Sequence, residues 1–501
     1  MTTIRFDVGN TWTSITEYDD FILNILDKES KYPTPQALAL ERGFSLPMGE
    51  DNGWDGWIRL LKRPKTMYPY FPTGLLPQLS RICTKFGYPF CVDDKRVKPE
   101  ADIPEAKPIP LRPYQEQAVE AAMRLGRGVI DAVPRSGKTR ILCEVHRSLS
   151  LPTIWIAPTD RICTQTVEVI ESFFGRNYVF QLVGQKELPT ALLRRIVICT
   201  MATAANLPQA FYDTRQMLVV DEFHHTSARS YTHEIFPKCD HIYWRFGASG
   251  TFFRSGYDGM AMHGLLSNTI FKVTAKEMLE LGFLVPTRVI FVPVPSHPKV
   301  RGAGNMFNGG FGAAGIHEHK VRNQMVVRAA MLLYKQGRKV LILVGTKAQG
   351  REVNNQLAQL LPEPPKGAEF KSVEFLSTDR PRDIQTKIID SYLADQEVKI
   401  LMGTSLLGEG VDLPNVDALV YARGEKAEVS LTQNAYRVCT AVAGKKDAII
   451  IDFADRHHRK LLDHSEERLQ VFYHEPTFAV AVLQRFEDLE TFLTQKDGVG
   501  C

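Results

Sequence analysis

Ile130-Asp131-Ala132-Val133-Pro134-Arg135-Ser136-Gly137-Lys138-Thr139 is the stretch that decides how the rest of the chain reads. The apolar Gly128-Val129-Ile130 runs into it, and Arg140 to Val145 leaves it with helical spacing. Ala132, four residues and then Gly137-Lys138-Thr139 fits a strand–loop–helix phosphate cradle. Small residues let backbone N–H groups approach phosphate oxygens, and the start of a helix adds positive potential. In such a cradle Pro134, Arg135, Ser136 and Gly137 form the loop. Lys138 reaches the β- and γ-phosphates, and the Thr139 hydroxyl ligates Mg2+. A Gly-Lys-Thr match alone fits a chance surface loop equally well, so its weight depends on what surrounds it.

Downstream, short apolar runs alternate with helical patterns: Thr153–Ala157, Ile196–Cys199, Met217–Val220 and Tyr243–Gly247. A second series follows at Arg288–Val294, Lys339–Val344, Val373–Leu376, Lys399–Met402, Ala418–Tyr421 and Asp447–Asp452. Alternation of this kind predicts parallel sheets covered by helices, here in two tandem α/β domains. The Gly-rich residues 301–312, between Ser296 and His319 and so after the first run of the second series, cannot pack a core and read as a mobile loop. Residues 1–98 differ, with three of the five tryptophans and an amphipathic helix pattern from Leu75 to Phe86. Lys98 to Pro113, rich in Pro, Glu and Lys, reads as a linker.

The chain has 501 residues, long enough for about three domains at ~100–200 residues each. Its net charge of +4 by itself selects neither nucleic acid nor membrane as a partner. Eight scattered cysteines offer no zinc or redox spacing and read as reduced thiols. No apolar run approaches the ~20 residues of a membrane span, and Met1–Asp7 lacks a signal-peptide layout. The expected location is the cytoplasm, with no membrane partner.

A second chemical motif closes the run Met217-Leu218-Val219-Val220 with Asp221-Glu222. Ligand sites in parallel sheets lie beyond the carboxyl ends of the strands, which would turn this acidic pair toward the phosphate loop. Asp221 would hold Mg2+ and Glu222 would deprotonate the attacking water. With both motifs present, the chain resembles superfamily 2 helicases and translocases of the DExH type. Further matches keep that family's order. Leu111-Arg112-Pro113-Tyr114-Gln115 resembles the element that reads the adenine edge. Pro158-Thr159 and Thr200 resemble the two segments that touch the nucleic-acid backbone, and Gly247-Ala248-Ser249-Gly250-Thr251 resembles the coupling motif III. The run Thr404 to Asp412 resembles motif V, with Gly410 and Asp412 at the family's nucleotide-facing positions and Thr404 on the nucleic-acid side. The resemblance implies two RecA-like parallel-sheet domains using ATP and Mg2+.

The sequence departs from the family at motif VI, Gln-x-x-Gly-Arg-x-x-Arg, where it reads Gln433-Asn-Ala-Tyr436-Arg437-Val-Cys-Thr440. Gln433 and Arg437 survive as catalytic candidates; the second arginine, the family's usual γ-phosphate finger, is Thr440. Three alternatives stand: Arg437 serves alone, Lys445 or Lys446 substitutes, or hydrolysis is slow.

Residues 57–98 carry nine Lys/Arg against two Asp, a local charge of +7. Arg59, Lys62, Arg63 and Lys65 stand among Trp57, Tyr68, Tyr70 and Phe71. Such cations neutralise phosphates, and interleaved aromatics can stack on bases. Trp54 and Trp57 individually read as core. With Asn52–Leu61 and Phe71–Leu75, the region resembles the small α+β N-terminal DNA-binding domain of the bacteriophage UvsW helicase family. That resemblance implies domains at 1–98, 99–286 and 287–475, then a helical tail from 476. It implies an ATP-dependent helicase on branched, duplex and single-stranded DNA, with RNA in R-loops and recombination or replication proteins as further partners. A translocase subunit of a restriction or defence system, and a weakly hydrolysing DNA-annealing motor, are the alternative readings.

Overall fold

A computed structural model describes residues 2–34, 37, 56–104, 106–184, 187–222, 234–250, 259–295, 313–364, 366–404, 407, 413, 415–424 and 428–494. Ile4, Phe6 and Val8 alternate inward along β1 (Ile4–Val8), the period-2 pattern of a half-buried strand. β1 pairs antiparallel with β2 (Trp12–Glu17) and parallel with β6 (Phe90–Asp94), and β5 (Tyr70–Pro72) closes the sheet in the order β5-β2-β1-β6. β3 (Lys31–Pro33) and β4 (Trp57–Arg59) form a separate pair. Two helices pack with the sheet, α1 (Asp20–Glu29) and α2 (Leu76–Lys85).

The chain divides into two compact units, residues 1–133 with 137–273, and 274–501 with 134–136. In the first, helix α3 (Pro113–Leu125) leads to a seven-stranded all-parallel sheet. Its strands are β7 (Arg127–Ala132), β8 (Thr153–Ala157), β9 (Val179–Gln181), β10 (Ile196–Thr200), β11 (Met217–Asp221), β12 (Trp244–Ser249) and β13 (Thr269–Val273), in the order β13-β7-β12-β11-β8-β10-β9. The central strands read as unbroken apolar runs because helices cover both faces. Among these helices are α4 (Lys138–Leu149), α5 (Asp160–Phe174) and α6 (Gly259–Leu266).

The N-terminal region shares one hydrophobic core with this first parallel sheet: Phe6, Phe71, Leu75 and Leu79 join Val129, Ile154 and Leu265 in one buried cluster. A Cβ on Gly74 would lie 2.1 Å from the carbonyl oxygen of His263 on α6, so the two backbones meet without room for a side chain. Two buried arginines add polar ties. Arg127 Nη2 donates to the Asn10 carbonyl at 2.7 Å and Arg245 Nη2 to Thr11 Oγ1 at 2.7 Å. Burial holds the Arg245 guanidinium down to about 10. The Pro-rich linker lies on the sheet's helices: Ile109 N donates to Glu144 Oε2 at 2.9 Å and Arg140 Nη1 to the Pro110 carbonyl at 3.0 Å.

The second unit holds another seven-stranded parallel sheet. Its strands are β14 (Thr287–Pro293), β15 (Val340–Leu343), β16 (Val373–Leu376), β17 (Ile400–Gly403), β18 (Ala418–Tyr421), β19 (Ala448–Ala454) and β20 (Phe478–Val482), in the order β16-β17-β15-β18-β19-β14-β20. Its helices include α7 (Lys320–Lys335), α8 (Glu428–Cys439) and α9 (Arg459–Tyr473). The tail from 476, expected to be helical, begins instead with β20, which pairs with β14 before a helix at Asp488–Thr494. Arg322 and Arg468 are buried in this unit on Asp455 (2.7 Å) and Asp452 (3.0 Å), and donate to the Ala422 and Gly424 carbonyls beyond β18. Of the Gly-rich stretch, residues 301–312 lie outside the described residues.

Candidate active site

β7 ends at Ala132 and α4 begins at Lys138, and the turn between them places Arg135 (φ 73°) and Gly137 (φ 79°) in the left-handed region. Gly137 is doubly constrained, because a Cβ there would also lie 2.4 Å from Gln115 Nε2. Gln115 is buried, and its Oε1 accepts from Arg112 N at 2.9 Å. Arg112 Nη1 in turn donates to the Tyr114 hydroxyl at 3.2 Å. The Leu111–Gln115 element is thus packed directly on the phosphate loop. Pro134 and Ser136 complete that loop, and Ser136 is buried.

β11 lies two places from β7 in the sheet and brings Asp221 and Glu222 to the same strand ends. Lys138 Nζ stands 3.2 Å from Glu222 Oε1 and donates to the Ala132 carbonyl at 3.3 Å. Glu222 is held at φ 43°, a strained backbone for a residue with a Cβ, of the kind that clusters at functional sites. Its N–H donates to Asp221 Oδ1 at 3.0 Å, and Gly250 N donates to Glu222 Oε2 at 3.4 Å. One carboxylate therefore touches both the phosphate-loop lysine and the coupling motif. Burial, then the neighbouring Glu222 charge, pushes the Asp221 carboxyl up to about 7 against the pull of Lys138. A carboxylate so costly to ionise alone suits a partner of high positive charge. With the Thr139 hydroxyl on the first turn of α4, it makes a hard oxygen donor set that fits Mg2+.

Thr159 and Thr200 cap neighbouring helices at the ends of β8 and β10. Thr159 Oγ1 accepts from Ile162 N at 3.3 Å and Thr200 Oγ1 from Thr203 N at 3.5 Å. Both line one groove of about 870 Å³, with Pro158, Asn206 and Glu234. In the N-terminal region Lys62, Arg63 and Lys65 are exposed, as are Met67 and Tyr68. Arg59 is half-buried on Asp27 at 3.6 Å, and Arg63 Nη1 donates to Asn24 Oδ1 at 2.8 Å. Phe71, read as one of the interleaved aromatics, is a core residue in edge contact with Phe6 and cannot stack on a base. Trp57 is half-buried under Lys31 Nζ, and Trp54 lies outside the described residues.

In the second unit Gln433 and Arg437 lie four residues apart on α8, on one helix face. Tyr436, in the place of the family's glycine, turns into the core beside Phe478 and bonds Glu475 through its hydroxyl. Thr440 bridges to Leu284 in a short antiparallel ladder that also joins Val285 N to the Cys439 carbonyl at 2.8 Å. Lys445 is no substitute finger. Its Nζ donates at 2.5 Å to both the Val416 and Val438 carbonyls, so the cation is consumed as a staple. Lys446 is exposed. Thr404 follows β17, while Gly410 and Asp412 lie outside the described residues. Sequence reasoning missed the buried Arg322 and Arg468 pairs, whose only local sign is Asp452 inside an otherwise apolar strand and Asp455 just after it.

Residues 108–254 match the family described as type III restriction enzyme, res subunit, and residues 322–440 match the helicase conserved C-terminal domain. With this site on tandem RecA-like sheets, the chain belongs to the superfamily 2 helicases of the DExH type, which are ATP-dependent enzymes. It is similar to the ATP-dependent DNA helicase UvsW of Enterobacteria phage T4, with 22% identity over 465 residues covering 83% of this chain and 88% of that one. The crystal structure of T4 UvsW aligns over 96% of this chain and 99% of its own, with 17% identity and a TM-score of 0.45. A fragment of an HsdR subunit of a type I restriction enzyme from Vibrio vulnificus YJ016 shares the fold at a TM-score of 0.53, with 16% identity over 81% of this chain and 73% of that one. Among the described residues no helix is long and apolar enough to cross a membrane.

Proposed function

We propose that this ATP-dependent helicase works on DNA, and on branched DNA in particular: forks, D-loops, R-loops and Holliday junctions. The single observation that carries the motor assignment is the contact between Lys138 and Glu222 at 3.2 Å, with Asp221 beside them at the strand ends. Bound ATP supplies the phosphoryl group to be cleaved and Mg2+ the charge that steadies it. Lys138 then exchanges its bond with Glu222 for the β- and γ-phosphates, which frees the Glu222 carboxylate to take a proton from the attacking water. Asp221 and Thr139 would hold the metal, and Gln433 and Arg437, on one face of α8, are the catalytic candidates of the second RecA-like domain. Thr159 and Thr200 line a groove of the first motor domain that takes a nucleic-acid strand, Thr404 is the nucleic-acid contact of the second domain, and Lys62, Arg63 and Lys65 grip phosphates.

Support for branched substrates comes from the similarity to UvsW, together with the exposed basic cluster on a region fused to the first motor domain. RNA in R-loops and recombination or replication proteins are the further partners of this reading, and the cytoplasm its place. The test is steady-state ATPase without DNA, with single-stranded DNA and with a synthetic fork, alongside unwinding of that fork. Stimulation by the fork above the single strand is expected; a rate indifferent to DNA would refute the reading. The match to the restriction res subunit supports a second reading as a translocase subunit, which predicts ATPase on plain duplex equal to that on a fork.

A further inference from the structure

The strand ends opposite the phosphate loop hold a second polar pocket, of about 430 Å³, that the motor does not use. The segments entering β11, β8, β10 and β9 build it, so it sits at the amino ends of four adjacent strands. Arg194, Arg195 and Arg215 line it, and among the described residues none of its lining is acidic. Arg215 is 1% exposed and, among the described residues, has no carboxylate within pairing distance. Its Nη1 donates to the Arg194 carbonyl at 3.0 Å and its Nε to Thr214 Oγ1 at 3.1 Å, bonds that fix the guanidinium without neutralising it. Arg194 Nη1 donates to the Asn177 carbonyl at 2.8 Å, while its Nε is buried with no hydrogen-bond partner among the described residues. Arg195 meets a carboxylate, Asp102 at 3.0 Å, at the pocket's edge. Tyr178 forms another wall, its hydroxyl 3.1 Å from His146 Nε2.

Keeping a buried cation uncompensated is expensive, and burial alone holds Arg215 down to about 10. Guanidinium groups fixed in one pocket match the oxygens of a phosphate through paired N–H bonds, which a lysine cluster would not.

We infer that the Arg194–Arg195–Arg215 pocket is a second phosphate-binding site, separate from the nucleotide cradle, that takes a backbone phosphate of bound DNA. The inference rests on the DNA reading above. It gives that reading a contact away from the strand groove at Thr159 and Thr200, as a substrate with more than one arm requires.

The test compares fork and single-strand binding across a salt series for wild type, the double variant Arg194→Gln/Arg195→Gln, and Asp102→Asn, with no nucleotide present. The glutamines keep hydrogen-bonding capacity at half-buried positions, and thermal melting checks the fold. The double variant should lose fork affinity several-fold and lower the log–log salt slope by roughly one to two, each phosphate contact contributing ~0.9. Single-strand binding should move much less. Asp102→Asn, which removes a competing carboxylate from an exposed position, should tighten fork binding and steepen the slope. Equal fork affinity and slope in wild type and double variant would overturn the site. A wild type that binds no fork would overturn the DNA reading and the site with it. Inorganic phosphate, titrated calorimetrically, could bind wild type and not the double variant while fork binding stays unchanged; that would make the pocket a free-phosphate site and overturn the DNA assignment. The same pattern with a glutamate-rich peptide, drawn to the exposed Leu192 and Leu193 at the rim, would make it a peptide dock and overturn it equally.

Discussion

Asp221→Asn separates two jobs that one carboxylate performs. In the free protein the side chain is buried, and its proton affinity rises from the ordinary 3.8 to about 7, by desolvation first and the Glu222 charge second. The unfolded chain releases that proton near 3.8, whereas the folded chain holds it until about 7. Between these values the folded state binds more protons, so stability contributed by this group is present at low pH and falls as pH rises through the window. At 1.36 kcal/mol per pKa unit the full gap is worth about 4 kcal/mol above pH 7, an upper limit because Lys138 and Glu222 share the cost. About half of it, ~2 kcal/mol, corresponds to roughly 4–8 °C in melting temperature for a large domain. The asparagine keeps the shape and cannot ionise. Melting of nucleotide-free wild type should therefore drop between pH 5 and pH 8 relative to Asp221→Asn, while the variant loses Mg2+-dependent ATPase at both. Parallel melting-versus-pH curves for the two proteins would refute the buried-carboxylate argument. A variant less stable at pH 8 would refute it more directly.

Glu222→Gln should bind ATP yet hydrolyse it at least ~100-fold more slowly, since cleavage needs the base and binding does not; filter binding with single-turnover hydrolysis separates the two. Reversing Lys62, Arg63 and Lys65 to Glu should weaken DNA binding and flatten its salt dependence while DNA-free ATPase holds, read by anisotropy across a salt series. Lys445→Ala should cost about 1.5–3 kcal/mol of stability through two abandoned carbonyls, seen in denaturant unfolding, rather than acting selectively on turnover. Thr440→Arg should raise kcat and leave ATP affinity alone if a missing finger limits the rate; an unchanged kcat would indicate that Arg437 suffices. Gly74→Ala should lower the melting temperature by several degrees, because its methyl group meets backbone rather than a yielding side chain.

The central strands were legible because each is a short, mostly apolar buried run between breakers: Thr153–Ala157 and Ala418–Tyr421 occupy the ranges their composition predicts, as does the edge strand Val373–Leu376, which is buried along its length. β9, β13 and β20 were not. All three are edge strands, and the half-exposed Val-Phe-Gln, Thr-Ile-Phe-Lys-Val and Phe-Ala-Val-Ala-Val carry no unbroken buried run. At the site, residue type and order placed Lys138, Asp221 and Glu222 together, since strand ends and a loop of fixed length leave little freedom. The fate of Lys445 was invisible, because two carbonyls at Val416 and Val438 capture it and neither has a sequence signature. Phe71 was misread for the opposite reason: basic neighbours made a core aromatic look like a surface one.

The shared core of the N-terminal region and the first parallel sheet has a mechanical meaning. Arg127 and Arg245 stand at the roots of β7 and β12 and grip Asn10 and Thr11; the tips of the same strands carry the phosphate loop and Ser249-Gly250. Each strand is six residues long, a strut of roughly 20 Å at ~3.3 Å per residue, braced sideways by its ladder. A pull on the N-terminal region enters at the roots and arrives at the nucleotide end as tension along the strands. If a resisting substrate pulls on the N-terminal region, the strain would reach the phosphate-loop end of the first sheet through the shared core.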